Sequence, residues 1–186
     1  MNAKMFNSFL DGTKSGIEMA AVANATGLTP APHGLDFPAV PVDELASTLI
    51  PKEAGGQLHH KGQVEVISSR ERSGEDLEND LRWGVYVVFE APTDYVKRCF
   101  SDYGMITDAG GGYSALWRPY HLIGLELGVS VAYAAILKQP TGASTRFVGD
   151  VAACAKRDLR AGEELDGEGG FTVWGKLMPA TDSLRI

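Results

Sequence analysis

Apolar positions recur at helical spacing in two places. Over residues 15–26, Ile17, Ala20, Ala21, Val22 and Ala25 form one small-residue face, and Gly27 is a natural stop. Ser15 with Glu18 three residues on has the form of a capping box. The second helical pattern covers residues 121–138, where Gly124, Gly128, Ala132 and Ala135 form a small stripe beside Leu125, Val129 and Ile136. That stripe predicts close packing onto the face of a sheet. A shorter helix is expected at 94–100, capped by Thr93 or Asp94, and another possible one at 42–49 inside a proline-rich crossing.

Strand patterns fall at 64–69, 81–90, 146–157 and 171–175, each rich in β-branched, aromatic or alternating apolar residues. The polar link 71–80 predicts an antiparallel hairpin between the first two. Glycine-rich turns stand at 107–113 and 159–170. The expected fold is α+β: an antiparallel sheet covered by helices on one face. A composition shift near residue 148 divides the chain into 1–148 and 149–186.

Composition narrows the partners. The 186 residues carry a net charge of −7, which disfavours nucleic acid and acidic membranes. No apolar run reaches the roughly 18–20 residues that span a bilayer. Cys99 and Cys154 have no CxxC partner, so a disulfide framework is not expected and a cytoplasmic setting is. Metal binding has little support. His59 and His60 are adjacent and would point to opposite faces of a strand, and Asp166 and Glu168 flank a glycine in ordinary turn chemistry.

The densest chemistry is at 11–18. Asp11, Thr13, Lys14, Ser15 and Glu18 crowd a loop that runs into a helix, with Gly12 and Gly16 allowing close approach of a ligand. The helix-start amides with Thr13 and Ser15 can cradle an anion. The plainer reading is a capped helix after an Asp-Gly turn, with a solvated lysine. A second group is Arg118, Tyr120, His121 and Glu126. Arg118 suits a carboxylate or phosphate, and His121 suits acid–base work. The plainer reading has these residues packing and pairing among themselves.

Four stretches carry a family resemblance: Phe9-Leu10-Asp11-Gly12-Thr13-Lys14-Ser15 with the helix after it, Asp80 through Glu90, Pro119-Tyr120-His121-Leu122-Ile123-Gly124-Leu125-Glu126, and Asp150 through Lys176. The chain resembles the homoserine-dehydrogenase-like oxidoreductases, which include deoxyxylulose-phosphate-reductoisomerase-like enzymes. The last stretch resembles the opening of a SAF-type domain. The resemblance implies a substrate-binding and oligomerising domain at 1–148 and an incomplete, β-rich SAF-like segment at 149–186. It implies a small hydroxylated or phosphorylated substrate, NADP or NAD as cofactor, and a homo-oligomer. Lys14, Asp11 and His121 would be catalytic, and Thr13, Ser15, Glu18 and Arg118 would bind substrate. Lys14 would shuttle a proton or polarise a carbonyl, and Asp11 would hold a hydroxyl or orient Lys14. No GxGxxG follows a strand, so these residues are expected to lack the family's nucleotide domain and to hold the cofactor weakly. The alternative is a non-catalytic binding or oligomerisation module with a SAF-like end.

Overall fold

The computed structural model describes residues 2–186, which form an α+β protein. They fall into two compact units. The first takes in residues up to Asp36, Gly62–Val66 and Gly142–Ile186. The second takes in Phe37–Lys61 and Ile67–Thr141.

In the first unit, α1 (Ala3–Leu10) and α2 (Thr13–Thr26) are separated by Asp11 and Gly12 alone. What the sequence presents as a reactive loop is a two-residue break between helices. Gly12 makes the break at φ +84°, a left-handed backbone that glycine adopts without a Cβ penalty. It is also the N-cap of α2, which has no side-chain cap. Ser15 and Glu18 therefore lie within the helix, and the capping box does not form. Asp11 takes the capping part instead, its Oδ1 accepting the Thr13 amide at 3.0 Å.

Strands β3 (Gly149–Ala155) and β4 (Val173–Pro179) pair antiparallel, with Ala153 opposite Gly175. (β1 and β2, described below, belong to the second unit.) The short α6 (Ala180–Ser183) follows β4. Helix α2 lies against this pair. Ala23, Val64 and Leu177 form its buried centre, flanked by Met19, Leu28, Leu35, Val148 and Val151. Gly175 makes the close approach possible: a Cβ there would stand 2.8 Å from the Val151 side chain and 3.0 Å from Thr13 Cγ2. The far end of α2 is tied by Asn24. Its Nδ2 donates to Gly149 O at 2.9 Å, and its Oδ1 accepts from the amides of Val148 at 2.8 Å and Gly149 at 3.1 Å.

In the second unit, α3 (Leu45–Thr48) buries Leu45 and Ala46 beside Val40, Leu49 and Ala115. The predicted hairpin between 64–69 and 81–90 does not form. Residues 64–69 make isolated bridges only, such as Ala39 with Ser68. Instead β1 (Val85–Glu90) pairs antiparallel with β2 (Tyr113–Arg118), and α4 (Asp94–Asp102) connects them. The Thr93 hydroxyl caps α4 by accepting the Val96 amide, as its position predicts. The protein thus has two separate two-stranded antiparallel sheets among the described residues rather than one continuous sheet.

Helix α5 (Ile123–Ala132) continues into a π-helical turn at Tyr133–Leu137. Its small stripe does not pack on a sheet. Neither segment has a buried residue, and a Cβ at Gly124 or Gly128 would meet nothing within 4 Å. No helix among the described residues is long and apolar enough to cross a membrane.

Because Asn24 satisfies three backbone groups at once, Asn24→Ala should cost about 2–3 kcal/mol of stability, the sum of lost bonds and a stranded carbonyl. Urea denaturation measures it. A change below about 0.5 kcal/mol would remove Asn24 from any structural role.

Candidate functional site

Asp11 stands where three chain segments meet. Its amide donates to Asn7 O at the end of α1, its Oδ1 caps Thr13, and its Oδ2 lies 2.6 Å from Lys156 Nζ. The side chains are 11% exposed for Asp11 and 22% for Lys156, so water screens the pair only in part. Lys156 Nζ also donates to Gly170 O at 2.7 Å. Burial pushes the Asp11 carboxyl upward, but hydrogen bonds from Lys156 and Thr13 outweigh it, and the net position is below the ordinary 3.8. Asp11 is thus paired with Lys156, and it is Lys156 rather than Lys14 that it orients.

Thr13 is buried, and its hydroxyl accepts the Gly175 amide at 2.9 Å, fixing the start of α2 to β4. Lys14 reaches the other way, to Glu168 at 2.9 Å, in a pair that is more than a third exposed on both sides. Ser15 is half-buried in the first turn of α2, and Glu18 is exposed on the same helix.

Glu168, the partner of Lys14, and Gly170, which Lys156 holds, belong to the turn 166–172, which is internally organised. Asp166 Oδ1 accepts the Thr172 amide and hydroxyl, and its Oδ2 accepts the Phe171 amide at 2.6 Å. The bonds from the Thr172 hydroxyl and these two amides hold its carboxyl far below the usual carboxylate range. Those carboxylate oxygens are occupied by the turn itself. Helix α1 secures the turn from outside: Lys4 Nζ donates to Asp166 O at 2.9 Å and Asn7 Nδ2 to Gly169 O at 2.7 Å.

The second group belongs to the second unit. Arg118 ends β2, its guanidinium 4.5 Å from the centre of the Tyr120 ring and ion-paired with Glu126. His121 Nδ1 lies 3.3 Å from Glu126 Oε2, which also accepts the Leu122 amide at 3.1 Å. One carboxylate thus gathers an arginine, a histidine and the start of α5. Arg118 and His121 are about half exposed, so both present polar edges to solvent while held from behind.

The sequence points to Asp11, Thr13 and Lys14 and to Asp166 as a turn residue, but not to Lys156 or Thr172. Lys156 lies in the Ala155-Lys156-Arg157-Asp158 run, where its neighbours look like a solvated strand end. No local pattern ties it to a residue 145 positions away.

Among known families, residues 1–127 match the one described as oxidoreductase DRL, catalytic domain. No curated protein matches the chain. The matched span contains both side-chain groups from 11–18 and 118–126, whereas Lys156, Asp166 and Glu168 lie outside it.

A carboxyl depressed in the folded state adds stability that is complete above its unfolded value and is lost as pH falls through its folded value. Asp11→Asn should therefore cost about 1–2 kcal/mol at pH 7, a half-buried charged hydrogen bond lost. The gap to wild type should close as pH falls below about 4. Denaturation at a series of pH values checks it; a gap that stays constant from pH 7 to pH 3 would contradict the pairing.

Proposed function

The chain belongs to the oxidoreductase DRL catalytic-domain family, and from that membership we propose that it is the substrate-side catalytic domain of an NAD(P)-dependent oxidoreductase. The substrate on this reading is a small hydroxylated or phosphorylated carbon compound, homoserine-like or sugar-phosphate-like. The observation that carries it is the family match, which spans both polar groups.

Lys14 is the proposed proton donor. Its ammonium is held by an exposed carboxylate, Glu168, which a substrate oxygen can displace at little cost. Asp11, kept ionised by Lys156, would accept a substrate hydroxyl. In the second unit, as a group of its own, Arg118 would bind a carboxylate or phosphate, and His121, backed by Glu126, would act as an acid or base. Thr13, Ser15 and Glu18 complete the proposed substrate contacts. A cytoplasmic homo-oligomer is part of the same reading, with residues 1–148 as the substrate-binding and oligomerisation domain and 149–186 as a SAF-like segment.

The nicotinamide cofactor supplies hydride transfer when bound, but these residues do not fit a dinucleotide. A pyrophosphate needs a strand, a glycine turn and free amides at a helix start. Helix α2 follows a helix, not a strand, and the Asp11 carboxylate already occupies the Thr13 amide. The segment 110–112 is held by Asp108, whose carboxylate takes the amides of Gly110 and Tyr113. Tight binding of the dinucleotide by these 186 residues is not expected.

The second reading, a non-catalytic binding or oligomerisation module, draws on the ion pairs themselves. Asp11 and Lys14 are both engaged by residues of 156–168, which serves a structural joint as well as a site.

The test is Lys14→Ala, assayed at cofactor concentrations high enough to offset weak binding, with homoserine and NADP and with deoxyxylulose phosphate and NADPH. The substitution should lower kcat/KM by about 10²–10⁴ for a lost acid–base group. It should leave stability within about 1 kcal/mol, because an exposed ion pair contributes little. Unchanged turnover removes Lys14 from the chemistry. Calorimetric titration of NADPH into the chain should show weak binding or none; micromolar or tighter binding would contradict the stated misfit.

A further inference from the structure

The helix after the Arg118 group is apolar on every side and covered on none. Between Ile123 and Leu137 the one charged residue is Glu126. Ile123, Leu125, Leu127, Val129, Val131 and Ile136 are 57–82% exposed. A helix that is apolar all round belongs inside a protein or an assembly. Its apolar side chains leave on the order of 800 Å² open to water around the helix, more than the roughly 300–600 Å² of the largest apolar patch on an ordinary monomer. Gly124 and Gly128 add a shallow track along it, since a Cβ at either would meet nothing within 4 Å.

We infer that this helix is the self-association face of the protein, and that the same helix of a second copy covers it. Charge selects that occupant. Copies with a net charge of −7 repel one another over most of their surface. On this helix the only carboxylate is already neutralised by Arg118, so two copies meet here without a bare like charge. A basic partner or an anionic surface finds no charge to recognise. The glycine track suits a two-fold contact, in which one patch serves both subunits and the two backbones approach at the glycines. The inference rests on the homo-oligomer reading above and supplies the surface for it.

Sedimentation velocity on the full chain at tens of micromolar tests this, with Gly128→Leu and Leu125→Arg beside wild type. Wild type should be a dimer, and each variant should raise the dimer Kd at least tenfold while far-UV circular dichroism keeps its helical signal. Gly128→Leu is decisive for folding, because the structure has open space at that position and leucine is the better helix former. A monomeric wild type overturns the inference together with the homo-oligomer reading. A dimer whose Kd neither variant moves overturns this face alone and leaves the oligomer standing. A monomer that floats with neutral phosphatidylcholine vesicles overturns it in favour of a lipid surface.

Discussion

The Asp11–Lys156 pair is the contact on which the first unit depends. Two helices meet at a break of two residues, and a helix start there leaves amides and a carboxylate that need partners. Lys156 reaches that break from the end of β3 and holds Gly170 with the same ammonium. A partly buried ion pair with each charge also hydrogen-bonded is stable where a bare buried charge is not. The pair therefore fixes three segments that are far apart in sequence, and the Thr13–Gly175 bond adds a tie to β4 two residues on. A carboxylate plays the corresponding part in the second unit, where Glu126 gathers Arg118, His121 and the start of α5.

These contacts set what the site residues can do. Asp11 and Thr13 are tied into the fold, and on the catalytic reading a substrate meets only the lone pairs and hydroxyl proton that those ties leave over. Lys14, Arg118 and His121 remain at the surface, each beside a carboxylate that a ligand can compete with. The side chains free to exchange partners are thus fewer than the residue types at 11–18 suggest. Both readings of the protein, catalytic domain or binding module, pass through that distinction.

Much of the helical framework is legible in the sequence. The small-residue period places α2, Thr93 places the start of α4, and alternating apolar residues place β1 and β3. Strand pairing is less legible. The polar link at 71–80 resembles a hairpin connection, yet β1 finds its partner in β2, whose pattern is obscured by the glycines just before it. Ser15 and Glu18 satisfy a capping rule that Gly12 and Asp11 pre-empt by starting the helix two residues earlier. The site is half legible: clustering shows Asp11, Thr13 and Lys14, but the identity of their partners depends on contacts about 145–162 positions away, which no local period records. The stripe of Gly124 and Gly128 predicts packing on a sheet, and no sheet of the described residues covers it.

A double-mutant cycle on Asp11 and Lys156 tests the organising role of the pair most directly. Asp11→Asn, Lys156→Met and the double variant are compared with wild type by urea denaturation at neutral pH. A partly buried, hydrogen-bonded pair should give a coupling of about 1–3 kcal/mol, the double variant losing less than the sum of the single ones. Additive losses, with a coupling near zero, would contradict the claim that this contact holds the helix break to the strands.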